Sequence, residues 1–195
     1  MNMTGSITKP PTRQRMIDSA VQLLRERGAA GVTIDAVLTR SEAPRGSVYH
    51  HFPGGRNQIL TEALQLAGDT IGGIIESATS SGSRRALEQF RNMWAGFLAQ
   101  SDFNAGCPAV SVAVGGSPED EALQPMATQI FTRWHSSIAA AMVADGIPEE
   151  RAAQLATVAL ATIEGAVILC RVHKTLAPLD DAVAVMSEMV AYAGR

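Results

Sequence analysis

Residues 43–55 read Ala43-Pro44-Arg45-Gly46-Ser47-Val48-Tyr49-His50-His51-Phe52-Pro53-Gly54-Gly55, and this stretch decides the fold. Pro44 stands where a helix can begin, and Pro53-Gly54-Gly55 ends it, leaving room for about two turns. Val48 and Phe52 are the apolar members and face a small core. Arg45, Ser47, Tyr49 and His50 are left for the outside. Upstream, Thr33 is suited to N-cap a short helix whose first turn carries Asp35, with Ile34, Val37 and Leu38 turned inward. Further upstream, Met16, Ile17, Ala20, Val21 and Leu24 recur at helical spacing until Gly28 stops them. Three short helices with a tight connection between the second and third make a helix-turn-helix outline.

A helix this short, rich in donors at its start, suits the major groove of double-stranded DNA. Arg45 can grip guanine or a phosphate bidentately, and Gly46 lets the backbone come close. Ser47, Tyr49 and His50 add hydroxyl and imidazole groups, and the helix start at Thr33 aims free amides at a phosphate. Arg56, just past the motif, completes the expected DNA-binding set. His50 and His51 are adjacent on a helix and point apart, which does not suit a metal. Lys9, Arg13 and Arg15, before or at the first helix, either reach DNA or keep that end solvated. Net charge is −3, but eight basic and four acidic residues lie before Asn57, so this part carries +4 and the remainder −7. A basic head on an acidic body fits a phosphate-binding module joined to something else.

The remainder reads as helices. Leu60, Ala63, Leu64, Ala67, Ile71, Ile74, Ile75 and Ala78 form one stripe, closed by the run Thr79 to Ser83. A fifth helix carries Leu87, Phe90, Trp94, Phe97 and Leu98, and a brief sixth runs from Cys107 to Val114. A seventh spans Pro118 to Asp145, an eighth opens at Pro148, and a ninth follows Pro178. The fold class expected is therefore all-α, about nine helices, with a DNA-binding module over 10–56 and a second domain over 57–195. The apolar run Leu155 to Cys170 is broken by Glu164 and falls short of the ~20 residues a bilayer span needs. The polar N-terminus has no signal-peptide pattern. Cys107 and Cys170 lack metal-ligand spacing and fit a reduced, cytoplasmic setting.

Over roughly Thr12 to Leu66 the sequence resembles the TetR family of repressors, whose recognition segment typically reads Ser/Thr-Arg-Gly-Ser/Thr-Leu/Val-Tyr-His-His-Phe. The Ala43–Gly55 form, with the later Gly106-Cys107-Pro108, resembles the LmrA/YxaF-type branch. Glu42 stands where the turn usually carries Gly, which predicts a strained turn there. The resemblance implies a helical effector cavity, and the aromatic cluster between Phe90 and Trp134 lies in the helices that would enclose it. Trp94, Phe97, Cys107, Val110, Phe131, Trp134, Glu164 and Ile168 are the candidate lining for a largely apolar ligand. Each aromatic taken singly is equally an ordinary core residue. Glu164, inside an apolar helix, needs a partner: Arg133, Arg171, His135, a second chain or a ligand. The last two long helices carry more apolar residues than one layer can bury, and the resemblance likewise implies a homodimer through them.

No Gly-x-Ser-x-Gly, metal-spaced His or Cys set, or phosphate loop is present, so neither an enzyme nor a cofactor is expected. The function expected is a dimeric repressor on a palindromic operator, released by a small molecule, with no membrane role. A DNA-binding regulator without an effector, or an activator, is the competing reading.

Overall fold

The computed structural model describes residues 10–194. Among these residues all regular structure is helical: α1 (Thr12–Arg27), α2 (Ile34–Ser41), α3 (Val48–His51), α4 (Gly55–Thr79), α5 (Ser83–Gln100), α6 (Pro108–Ala113), α7 (Pro118–Ala144), α8 (Glu149–His173) and α9 (Ala177–Ala193). Local chemistry sets the ends. Gly28 leaves α1 at φ 69° with its N–H on the Leu24 carbonyl, a conformation that glycine adopts without cost. The Thr33 hydroxyl oxygen accepts the Ala36 N–H at 3.1 Å, capping α2. Glu42 closes α2 in the left-handed region at φ 52°, its N–H on the Leu38 carbonyl. The strain expected of that turn is thus present in the backbone.

The third helix is shorter than its sequence suggests. Pro44 is extended, and Arg45–Ser47 form a 3-10 turn before the four residues of α3. Phe52 precedes a proline, which disfavours helical backbone, and it leaves the helix at φ −137°.

One continuous core runs from Met16 in α1 to Val190 in α9. Its centre is the α4–α7 crossing, where the Trp134 indole N–H donates to the Gly68 carbonyl at 3.1 Å. A Cβ on Gly68 would come within 2.5 Å of Ile130, so the missing side chain sets how closely the helices approach. Helix α7 starts with a reciprocal cap. The Ser117 hydroxyl accepts the Asp120 N–H, and the Asp120 carboxylate accepts the Ser117 N–H. Helix α8 extends beyond the apolar run that marked it and is long and apolar enough to cross a membrane by length and composition. Its Leu155, Ile163, Val167 and Cys170 are buried, and it packs between α7 and α9.

Candidate DNA-binding face and effector region

The helix-turn-helix presents one polar face. Val48 and Phe52 are buried, while Thr33, Arg45, Gly46, Tyr49 and His50 are exposed and Ser47 is half-buried. Tyr49 is 66% exposed, an unusual position for so large a ring unless something packs on it. The Ser47 hydroxyl donates to the Pro44 carbonyl at 2.6 Å and holds the turn before α3. The Thr33 oxygen is spent on its own helix cap. Among the described residues Arg45 has no hydrogen-bond or ion-pair partner, and its side chain is exposed.

Other arginines of this region are committed. Arg13 pairs with Glu62 at 2.7 Å and lies 4.8 Å from the Phe52 ring centroid. Arg15 donates to the carbonyls of Ser41 and Pro10, and Arg40 pairs with Glu26 across α1 and α2. Lys9 lies outside the described residues. Arg56, expected on the DNA, is turned inward. It donates to the carbonyls of Val32 at 2.7 Å and Ala29 at 2.8 Å, and it pairs with Glu119 at 3.0 Å. Its three nitrogens tie the loop before α2 to the first turn of α7. Glu119 is held below the usual carboxylate range, by its own backbone N–H first and by Arg56 as well.

The candidate effector residues fall into three places. Trp94 and Trp134 are buried in the core, each edge-on to a phenylalanine: Trp94 to Phe97 at 5.8 Å and Trp134 to Phe131 at 5.4 Å between centroids. Cys107 is buried before α6, beside half-buried Val110, and its thiol lies close enough to the Glu164 carboxyl to affect its titration. That contact answers which partner Glu164 finds, since Arg133 pairs with Asp69 and His135 with the Ala153 carbonyl. Loss of water raises the Glu164 pKa to about 7 despite the thiol contact, and burial pushes the Cys107 thiol up. Ile168 is 49% exposed on the outside of α8.

An apolar cleft of about 40 Å³ lies elsewhere, lined by Ile75, Ala78, Phe90, Ile138, Met142 and Ile163 among others. None of the eight candidate residues lines it. The space left between these side chains is small. Sequence reasoning passed over Arg25, which the structure buries against Phe97. The signal was available: Arg25 follows Val21 by four residues on the apolar stripe of α1.

A small helical head with an exposed helix-turn-helix, sharing a core with a larger helical body, defines a DNA-binding transcriptional regulator. Residues 16–63 match the family described as bacterial regulatory proteins, tetR family, and residues 84–185 match the C-terminal domain of LmrA/YxaF-like transcriptional regulators. The chain belongs to the TetR family of transcriptional regulators. An uncharacterized HTH-type transcriptional regulator of Mycobacterium tuberculosis is 44% identical over 173 residues, covering 86% of this chain and 88% of the relative. A TetR regulator from Legionella pneumophila shares the fold at TM-score 0.80 and 17% identity, covering 94% of this chain and 99% of that one. CifR, a TetR-family regulator solved as a cysteine mutant with a 26-bp operator, aligns at TM-score 0.72 and 17% identity. It covers 94% of this chain and 98% of its own.

Proposed function

We propose that the chain is a cytoplasmic repressor that binds a palindromic operator as a homodimer and is released by a small, largely apolar ligand. The observation that carries the DNA part is the free face of Arg45, Tyr49 and His50, held rigid by the buried Val48 and Phe52 behind it. Arg45 supplies a bidentate contact to guanine, and Gly46, Ser47 and the amides at Thr33 bring the backbone close to phosphate. A four-residue helix reads too few base pairs alone. Two copies related by a two-fold axis read half-sites about one helical turn apart, ~34 Å.

The second copy docks on the outer face of α8 and α9, where Val158, Ile168, Leu169, Val172 and Val185 stay exposed in the single chain. Small residues such as Gly165, beside which a Cβ would meet nothing within 4 Å, suit close helix packing there. Helix α4 runs from the head, over 10–56, into the body, over 57–195, and so transmits ligand binding as a change in recognition-helix spacing. DNA and ligand then oppose one another reciprocally. The small size of the apolar cleft favours a second reading, a regulator that works without an effector.

Selection of DNA from a random pool with the purified protein tests the proposal. An enriched inverted repeat with half-sites about one turn apart supports it. No enrichment, or a single unrepeated half-site, contradicts it.

A further inference from the structure

Helix α1 carries a buried cation, Arg25, that pairs with no carboxylate among the described residues. Arg25 is only 5% exposed, and its guanidinium carbon lies 3.9 Å from the centroid of the Phe97 ring. Among the described residues its Nε has no hydrogen-bond partner, and no carboxylate pairs with it. Burial lowers its pKa, the sign of an ill-solvated cation. Buried charges are ordinarily paired, because an unpaired one forfeits its hydration with no return. A cation–π contact offsets part of that loss and satisfies none of the five N–H donors.

The neighbours have the same deficit. The Trp94 ring is edge-on to Phe97, fully buried, and its indole N–H has no acceptor. The buried Glu164 carboxyl lies beside Cys107, and loss of water raises its pKa to about 7. The turn before α6 closes the cluster. The Gly106 N–H donates to the Arg25 carbonyl at 2.9 Å, and a Cβ on Gly106 would come within 2.6 Å of an Arg171 guanidinium nitrogen. The turn is thus tied to the backbone of α1 on one side and lies against the Arg171 side chain of α8 on the other. Among the described residues the Arg25 Nε and the Trp94 indole N–H are both buried donors without an acceptor.

We propose that Arg25, Trp94 and Phe97, with the Gly106–Cys107 turn, form a binding site for a small planar ligand bearing an anionic oxygen, such as an aromatic carboxylate. The oxygen pairs with the Arg25 guanidinium, the indole N–H of Trp94 donates to it, and the ligand ring continues the edge-on stack begun by Phe97. The inference rests on the ligand-controlled reading above for its link to DNA, and it adds a charge and a place to that ligand. Its place is informative: Arg25 belongs to α1 of the DNA-binding head, while Trp94 and Gly106 belong to the body. A ligand held there joins the two directly.

The test uses the full-length protein with two pairs of probes, benzoate against benzamide and 2-naphthoate against 2-naphthamide. Binding is read by calorimetry, tryptophan fluorescence and Tm. The carboxylates bind at least about tenfold more tightly than their amides, the difference expected of one charged hydrogen-bonded pair. Arg25→Met, which replaces an unpaired buried charge by an apolar chain of similar length, folds with a Tm no lower than that of the parent and loses the carboxylate preference. Arg25→Lys keeps the charge without the fork and retains a reduced preference, which preserves the test if the methionine variant does not fold. Equal binding of acid and amide, an undiminished preference in both variants, or no carboxylate binding at the solubility limit overturns the proposal. Titration of the same preparations with selected DNA keeps two failures apart. DNA binding without carboxylate binding sinks this site alone, and carboxylate binding without DNA binding sinks the repressor reading alone.

Discussion

Arg45 and Arg56 are two arginines of one motif region with opposite fates. Arg45 is exposed and has no partner among the described residues, so Arg45→Ala weakens operator binding by about 10–100-fold, the worth of one bidentate base contact, and relaxes specificity at one base pair. Arg56 spends its guanidinium on Val32, Ala29 and Glu119. Arg56→Ala therefore lowers Tm, while leaving the salt dependence of DNA binding unchanged, because no phosphate contact is lost. The sequence marked both as cations beside a DNA-reading helix, and only the path of the chain reveals which one turns inward. Glu164 carries a different prediction. Its carboxyl titrates near 4.5 when unfolded and near 7 when folded, so the native state binds the extra proton over that interval. Its contribution therefore turns against folding as pH rises from about 4.5 to 7. Glu164→Gln removes that penalty: thermal denaturation finds it gaining on the parent at pH 8 and not at pH 4.

At the scale of elements, glycines in one helix give opposite expectations. In α4, Gly68→Ala forces a methyl group into Ile130 at the α4–α7 crossing and costs about 1–3 kcal/mol, measured by denaturant unfolding. Gly73 lies in the same helix with nothing within 4 Å of an added Cβ, and Gly73→Ala stabilises by roughly 0.5–1 kcal/mol. Periodicity in the sequence located both helices but not their crossing point, which is a tertiary fact. It also gave the order of the helices and the caps at Gly28 and Thr33, because those depend on neighbours within one turn. It overestimated α3, because Arg45–Ser47 wind as a 3-10 turn and Phe52, before Pro53, leaves helical backbone. It opened α8 at Pro148, within a residue of its start, but the apolar run stops at Cys170, short of the polar end at His173.

For the whole molecule, the effector region was the least legible part. The aromatics expected around a cavity pack edge-on into the core, and the cleft opens instead between Ile75, Phe90, Met142 and Ile163. Where a gap falls depends on how four helices seat together, which no local pattern encodes. The outer surface was easier to read, because helices with apolar residues on all sides leave some uncovered. Val172 is 68% exposed and Leu169 49% exposed on α8. The double substitution Leu169→Asp and Val172→Asp yields a folded monomer by sedimentation velocity, and operator affinity falls steeply because each half-site is then bound alone.

Sequence-specific DNA binding by this chain is measured by fluorescence anisotropy. The purified protein is titrated into the selected inverted repeat and a scrambled duplex of the same composition, at two salt concentrations. A specific regulator binds the repeat tighter by on the order of a thousandfold or more, and the binding weakens as salt rises. Equal affinity for the two duplexes at both salt concentrations would contradict it.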